Sequence, residues 1–203
     1  MKTRIAVLVS GGGTNLQALL DAQRAGLLQS GAIALVISDR EGAYAIKRAI
    51  DAKVPALIFS RKALGQEAFE EMLLGSLKEG GIDMIILAGF LTILGPEFCA
   101  SWHRRILNVH PSLIPAFCGA GCYGVKVHEM ALARGVKLTG ASVHYVTGDV
   151  DAGPILMQKA VRVHKKDTPE TLQRRVMEKA EWLLLPRAAE KVARRILREK
   201  ERA

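Results

Sequence analysis

The sequence predicts an α/β protein: a single domain built on a mostly parallel sheet with helices on both faces. Three observations carry that expectation. Strand-length apolar runs alternate with helix-length segments from Ile5 to Ala88. The runs Ile5–Val9, Ile33–Ile37 and Met84–Ala88 are apolar throughout, as strands covered on both faces must be. The chain has 203 residues, 49% of them hydrophobic, and no Pro-, Ser- or charge-rich linker divides it, so one substantial core is expected.

The elements follow in order. Strand Ile5–Val9 runs into the glycine-rich turn Ser10–Asn15, and a helix over Asn15–Ala25 follows. Strand Ile33–Ile37, helix Ala43–Lys53, the short strand Ala56–Phe59, helix Gln66–Lys78 and strand Met84–Ala88 continue the pattern. Ile106–Val109 is β-prone; Pro111 blocks its continuation and Pro115 stiffens the exit. A short helix over Glu129–Arg134 precedes two strands, Leu138–Val146 and Ile155–Val163, joined by the turn Thr147–Pro154. From Thr168 the chain reads as a long helical tail interrupted at Pro186. No internal repeat or low-complexity segment is present.

Composition narrows the classes of function. The net charge is +9, which invites a nucleic-acid reading. Yet Arg174, Arg175, Lys179, Arg187, Lys191, Arg194, Arg195 and Arg198 alternate with apolar residues at helical spacing, the pattern of a solvated helix face. Aromatics are 5% of the chain and offer no obvious stacking surface. The basic field suits anionic small molecules better, and no nucleic-acid partner is expected. No apolar run is long enough for a membrane span, and Met1–Val9 lacks a signal-peptide pattern, so a cytoplasmic location without membrane contact is expected. Three cysteines make no disulfide framework. Cys118 and Cys122 lie near His110 and His128, but three intervening residues and no fourth thiolate argue against zinc; no metal is expected. Cys118 as an acyl-enzyme nucleophile beside His110 is a further possibility.

The chemistry-bearing residues gather in three places. Asn108 and His110 stand two apart at a strand end and project from one face. An amide able to donate to an oxyanion beside an imidazole suits acyl transfer, although a hydrogen-bonded histidine at a strand end serves as well. Asp151 lies in a Gly-flanked, Pro-terminated turn fit to hold a carboxylate against that imidazole, while both it and Asp149 are also common turn residues. The turn Ser10–Asn15 opens a helix with glycines that let an anion approach free N–H groups. It is no Walker loop. Gly11 and Gly13 followed by Asp39 suggest a dinucleotide site, but Leu16 stands where the third glycine belongs.

Val9–Gln17, Leu87–Leu94, Asn108–Pro115 and Gly140–Pro154 together resemble the glycinamide ribonucleotide formyltransferases, folate-dependent enzymes of purine synthesis. The resemblance covers nearly the whole chain. It implies a Rossmann-like formyltransferase fold over residues 1–203, with a nucleotide-binding half over about 1–100 and a folate and catalytic half over about 101–203. It implies catalysis by Asn108, His110 and Asp151, and substrate binding by Gly13, Thr14, Asn15 and Glu181, although a lone Glu on a basic helix is also an ordinary surface ion pair. The co-substrate 10-formyltetrahydrofolate is expected along Leu91, Thr92, Ile93 and Leu94, reaching Asn108. The implied reaction is formyl transfer to glycinamide ribonucleotide, by a monomer or homodimer; a formyltetrahydrofolate deformylase would use the same three catalytic residues on water. His144 is a candidate supporting residue, and Lys126 and His128 follow the loop. Three departures from the family stand out: Thr92 and Gln66 where arginine is common, and a longer segment Ala116–Gly124, expected to form a glycine-rich mobile flap.

Overall fold

The computed structural model describes residues 2–202. Strands β1 (Thr3–Val9), β2 (Gly31–Ser38), β3 (Ala56–Ile58), β4 (Met84–Leu87), β5 (Ile106–His110), β6 (Leu138–Tyr145) and β7 (Ile155–Arg162) form one sheet in the order β3-β2-β1-β4-β5-β6-β7. The first five pair parallel, through helices α1 (Thr14–Arg24), α2 (Tyr44–Asp51), α3 (Arg61–Leu64), α4 (Gln66–Glu79) and α5 (Pro96–Ser101). Helices α3 and α5 were not expected from periodicity; at 4 and 6 residues they are too short to show one.

The sheet turns antiparallel at β5–β6 and stays so at β6–β7. A parallel return needs a long crossover, and the turn after Tyr145 is too short to make one. Helix α6 (Val125–Arg134) precedes β6, and α7 (Pro169–Val176) and α8 (Trp182–Arg202) close the chain.

Alternation along β1 builds two cores. Ile5, Val7 and Val9 pack with Leu16 and Leu19 of α1 and with Leu185, Ala189 and Val192 of α8. Ala6 and Leu8 face the other side, against Phe69, Leu73 and Leu77 of α4 and Phe98 of α5. A single sheet therefore spans the chain, burying apolar side chains on both faces. Of the basic residues expected on a solvated helix face, Arg174 and Arg175 lie on α7, Lys179 in the segment that follows it, and the rest on α8 outside its buried stripe, where Arg194 pairs with Glu190 at 3.1 Å and Arg195 with Glu199 at 3.7 Å.

The interruption expected at Pro186 lies elsewhere. Pro186 sits within α8, and the irregularity is a π-wound segment, Met177–Glu181, immediately ahead of that helix. A proline disturbs the turn before it, because its ring crowds the carbonyl four residues back and it offers no N–H. The turn before Pro186, Trp182–Leu185, stays α-helical, and the wider winding lies one turn further back.

Candidate active site

The strand order reverses between β1 and β4, and ligands in open α/β sheets bind beyond the carboxyl ends of strands at such a point. Ser10, just past β1, donates its N–H to Gly89 O at 3.0 Å and accepts at Oγ from Leu91 N at 2.8 Å. These bonds tie the two strand ends together. Above them opens a cleft of about 560 Å³.

Strand register places the first group. Asn108 and His110 leave the same face of β5, and the ladder sets Asn108 opposite His144 and His110 opposite Ser142. His144 Nδ1 donates to Tyr145 O at 2.9 Å, which turns Nε2 toward Asn108 Nδ2 at 3.2 Å. The β6–β7 turn then delivers Asp151. Its φ of 55° is left-handed, a conformation that Asp adopts more readily than most residues. A Cβ on Gly153 would lie 1.8 Å from Tyr145 O, so only glycine lets the turn close.

Asp151 is the hub. Oδ2 lies 3.4 Å from His110 Nδ1 and accepts the Gly119 N–H at 3.0 Å; Oδ1 lies 3.5 Å from His144 Nε2 and accepts from Asn108 Nδ2 at 3.4 Å. Burial pushes its carboxyl up, but the His144 bond, the Gly119 N–H and the nearby His110 outweigh burial and hold it below its ordinary value. The carboxylate stays charged at neutral pH. His110 Nε2 donates to Phe117 O at 2.9 Å, so both ring nitrogens face acceptors. The ring is oriented twice over, and Nε2 takes part in proton transfer only by exchanging Phe117 O for the substrate.

The second group lies at the opposite wall. Gly13 caps α1 at φ 71° without any side-chain hydrogen bond to the first turn, leaving the N–H groups of Thr14 and Asn15 to an outside acceptor. A Cβ on Gly13 would meet Ala45 Cβ at 2.6 Å, so the loop and α2 touch there. Arg48 steadies the turn by donating from Nε to Gly12 O at 2.8 Å, a brace that no local motif announces. Thr14 and Asn15 line the cleft, whereas Gly13 shapes the turn behind them.

Glu181 is not a surface ion pair. The π-wound segment carries it inward, where it is 6% exposed and accepts from Asn15 Nδ2 at 2.7 Å. Burial raises its carboxyl to about 7, against the lowering effect of Asn15. Asn15 Oδ1 is buried with no protein partner. Gln173 and Met177, from the same stretch, also line the cleft; a π turn has no sequence signature that could have flagged them.

Leu91–Leu94 form a third wall. Leu91 and Ile93 are exposed, an apolar face without a protein partner, while Leu94 is buried. Thr92 Oγ1 donates to Asp39 Oδ2 at 2.7 Å, and Arg40 holds the same carboxylate at 2.8 and 3.0 Å. Asp39 is thus buried and spoken for, unlike the free acid that a dinucleotide ribose needs. Gln66 Nε2 donates to Ile93 O at 3.0 Å and bolsters this wall.

The segment Ala116–Gly124 does not stand off as a free flap. Through Phe117 O and Gly119 N it is bonded to His110 and Asp151. Lys126 stacks on Tyr123, with Nζ 5.2 Å from the ring centre, outside the cleft. His128 is wholly buried in α6, and burial together with His110 pushes its imidazole down to about 4. No cluster of metal-ligating side chains occurs among the described residues, and no described helix is long and apolar enough to cross a membrane.

Comparison with known proteins gives the family. The profile of the formyl transferase family matches residues 3–188. The human trifunctional purine biosynthetic protein adenosine-3 is 41% identical over 193 residues, 95% of this chain; the chain spans only 18% of that relative's length. The crystal structure of glycinamide ribonucleotide transformylase 1 from Symbiobacterium toebii superposes with a TM-score of 0.88 at 42% identity, covering 95% of this chain and 88% of that one. A formyltetrahydrofolate deformylase from Pseudomonas syringae is more distant, with a TM-score of 0.81 at 29% identity, 93% of this chain and 60% of that one.

Proposed function

The chain belongs to the formyl transferase family, and from that premise we propose that it transfers the formyl group of 10-formyltetrahydrofolate to the amine of glycinamide ribonucleotide, a step of purine biosynthesis. The observation that carries the reading is the hub at Asp151, which gathers His110, Asn108 and His144 at one end of a cleft whose other end is the uncapped start of α1. The anionic end of a nucleotide suits those free N–H groups, and the unpartnered Asn15 Oδ1 with Glu181 suits ribose hydroxyls. The exposed apolar wall of Leu91 and Ile93 suits the flat ring of a pterin, with Thr92 and Leu94 completing that wall.

The folate supplies an activated formyl carbon. The substrate amine attacks it, and the oxygen gains charge as the carbon becomes tetrahedral. Asn108 Nδ2 donates to that oxygen, exchanging its long bond to Asp151 for a shorter one to an anion. His110 moves the proton from the attacking amine to the departing folate nitrogen through Nε2, once that nitrogen leaves Phe117 O, and Asp151 holds the ring aligned at Nδ1.

The test is stoichiometry. Incubated with formyltetrahydrofolate alone, the protein should consume the folate very slowly; adding glycinamide ribonucleotide should release tetrahydrofolate in step with formylated product. Equal consumption without the amine would make the protein a deformylase and overturn the proposal.

A further inference from the structure

Two half-buried thiols, Cys118 and Cys122, sit in the loop that grips the catalytic pair. Cys118 stands between Phe117, whose carbonyl accepts from His110, and Gly119, whose N–H donates to Asp151. The Cys122 N–H donates to Gly119 O at 3.1 Å, closing a turn between the two thiols. Gly119 and Gly121 take φ of 93° and 81°, so the backbone between the thiols curls in a way that side chains resist. Each sulfur is held only by a weak contact: Cys118 Sγ to Pro115 O at 3.3 Å, and Cys122 Sγ to Met130 Sδ at 3.9 Å. The third cysteine, Cys99, is buried.

We infer that Cys118 and Cys122 are a reversible redox site, at which oxidation joins their Sγ atoms and draws Gly119 away from Asp151. The oxidant is a low-molecular-weight disulfide. One protein thiolate attacks it, forming a mixed disulfide and expelling the first small thiol; the other protein thiolate then attacks the mixed disulfide and expels the second. The protein loses two protons and two electrons, and the oxidant is reduced to two thiols. Turning both sulfurs inward breaks the contacts to Pro115 and Met130 and tightens the chain around Gly119. A disulfide across so short a loop gains little from chain entropy, so it stays easy to reduce, as a control element must. Burial, with the charges of Asp151 and Cys122, holds the Cys118 thiol above its ordinary value, so oxidation should quicken as pH rises.

The effect on turnover rests on the assignment of His110 and Asp151 above; the crosslink itself does not, and the experiment separates the two. The full-length protein is treated with oxidised glutathione, then digested for mass mapping, assayed, and followed by amide hydrogen exchange. The expected product is a Cys118–Cys122 crosslink lighter by two hydrogens, with faster exchange at the Gly119 amide. Turnover should fall at least about tenfold, the scale of one lost hydrogen bond to a charged group, and dithiothreitol should restore it. Cys118→Ser and Cys122→Ser should each stop at the mixed glutathione disulfide, with neither the internal link nor the faster exchange at Gly119. In the unsubstituted protein, a stable mixed glutathione disulfide without the internal link, or a link that leaves Gly119 exchange unchanged, would overturn the inference. A link with faster exchange but full turnover would uphold the redox site and instead remove Asp151 from the mechanism.

Discussion

Asn15 and Glu181 meet across 166 residues of sequence through a hydrogen bond of 2.7 Å. The bond joins the first turn of α1 to the π-wound segment before α8 and closes one end of the cleft.

A pH dependence of stability follows from that pair. Burial raises the Glu181 carboxyl from 4.5 to about 7, so the folded protein binds this proton more tightly than the unfolded chain does. The contribution is most favourable below pH 4.5, declines as pH rises toward 7, and stays low above it. The difference is up to about 3 kcal/mol. Glu181→Gln keeps an oxygen for Asn15 and removes the titration. Denaturant unfolding at pH 5 and pH 8 should show a decline in the parent that the variant lacks; parallel declines would mean that Glu181 is ionised in the folded protein.

Substitutions at the hub should separate chemistry from folding. Asn tolerates the left-handed backbone at position 151 and still offers an oxygen to Gly119, so Asp151→Asn should fold normally. It removes the charge beside His110. Turnover should drop about a hundred- to ten-thousand-fold, and His110→Ala should lose a similar factor. Near-normal turnover of either folded variant would remove that residue from the proton transfer.

At the glycine turn, Gly13→Ala forces a Cβ into a left-handed position and to within 2.6 Å of Ala45 Cβ. The turn must open, at a stability cost of about 1–2 kcal/mol. The Michaelis constant for the ribonucleotide should rise at least about tenfold, since the N–H groups at the helix start lose their aim, while that for the folate barely changes. Equal effects on both constants would mean that the turn is only structural.

How much of this was legible depended on the range of the interactions. Three of the parallel strands announced themselves because strands covered on both faces must be apolar throughout, as Met84–Ala88 is. Asn108 and His110 were visible together because a strand repeats every two residues. Asp151 was legible as a turn residue, yet its place beside His110 depends on the antiparallel register that sets Asn108 against His144, which no local pattern encodes. Asp39 looked free until Arg40 and Thr92 were seen to hold it. The segment 116–124 read as a flap because glycines suggest mobility, whereas its backbone bonds to the catalytic pair arise from tertiary contact alone.

Glu181 was hardest to place, since the π turn that carries it inward leaves no mark in the sequence and the nearest helix-breaker, Pro186, stands five residues later. Without a proline there, the chain could wind as ordinary α-helix from α7 into α8, and each residue of register lost would rotate the following side chains by about 100°. Pro186→Ala supplies the missing N–H and relieves the crowding of Trp182 O. The variant should be at least as stable as the parent, but Glu181 should swing away from Asn15. Its Michaelis constant for the ribonucleotide should therefore rise about three- to tenfold, the scale of one hydrogen bond, with little change for the folate. Steady-state kinetics alongside thermal unfolding measures both. An unchanged constant in a folded variant would show that the packing of Ala180 and Val176, rather than the proline, fixes the π turn and holds Glu181 in the cleft.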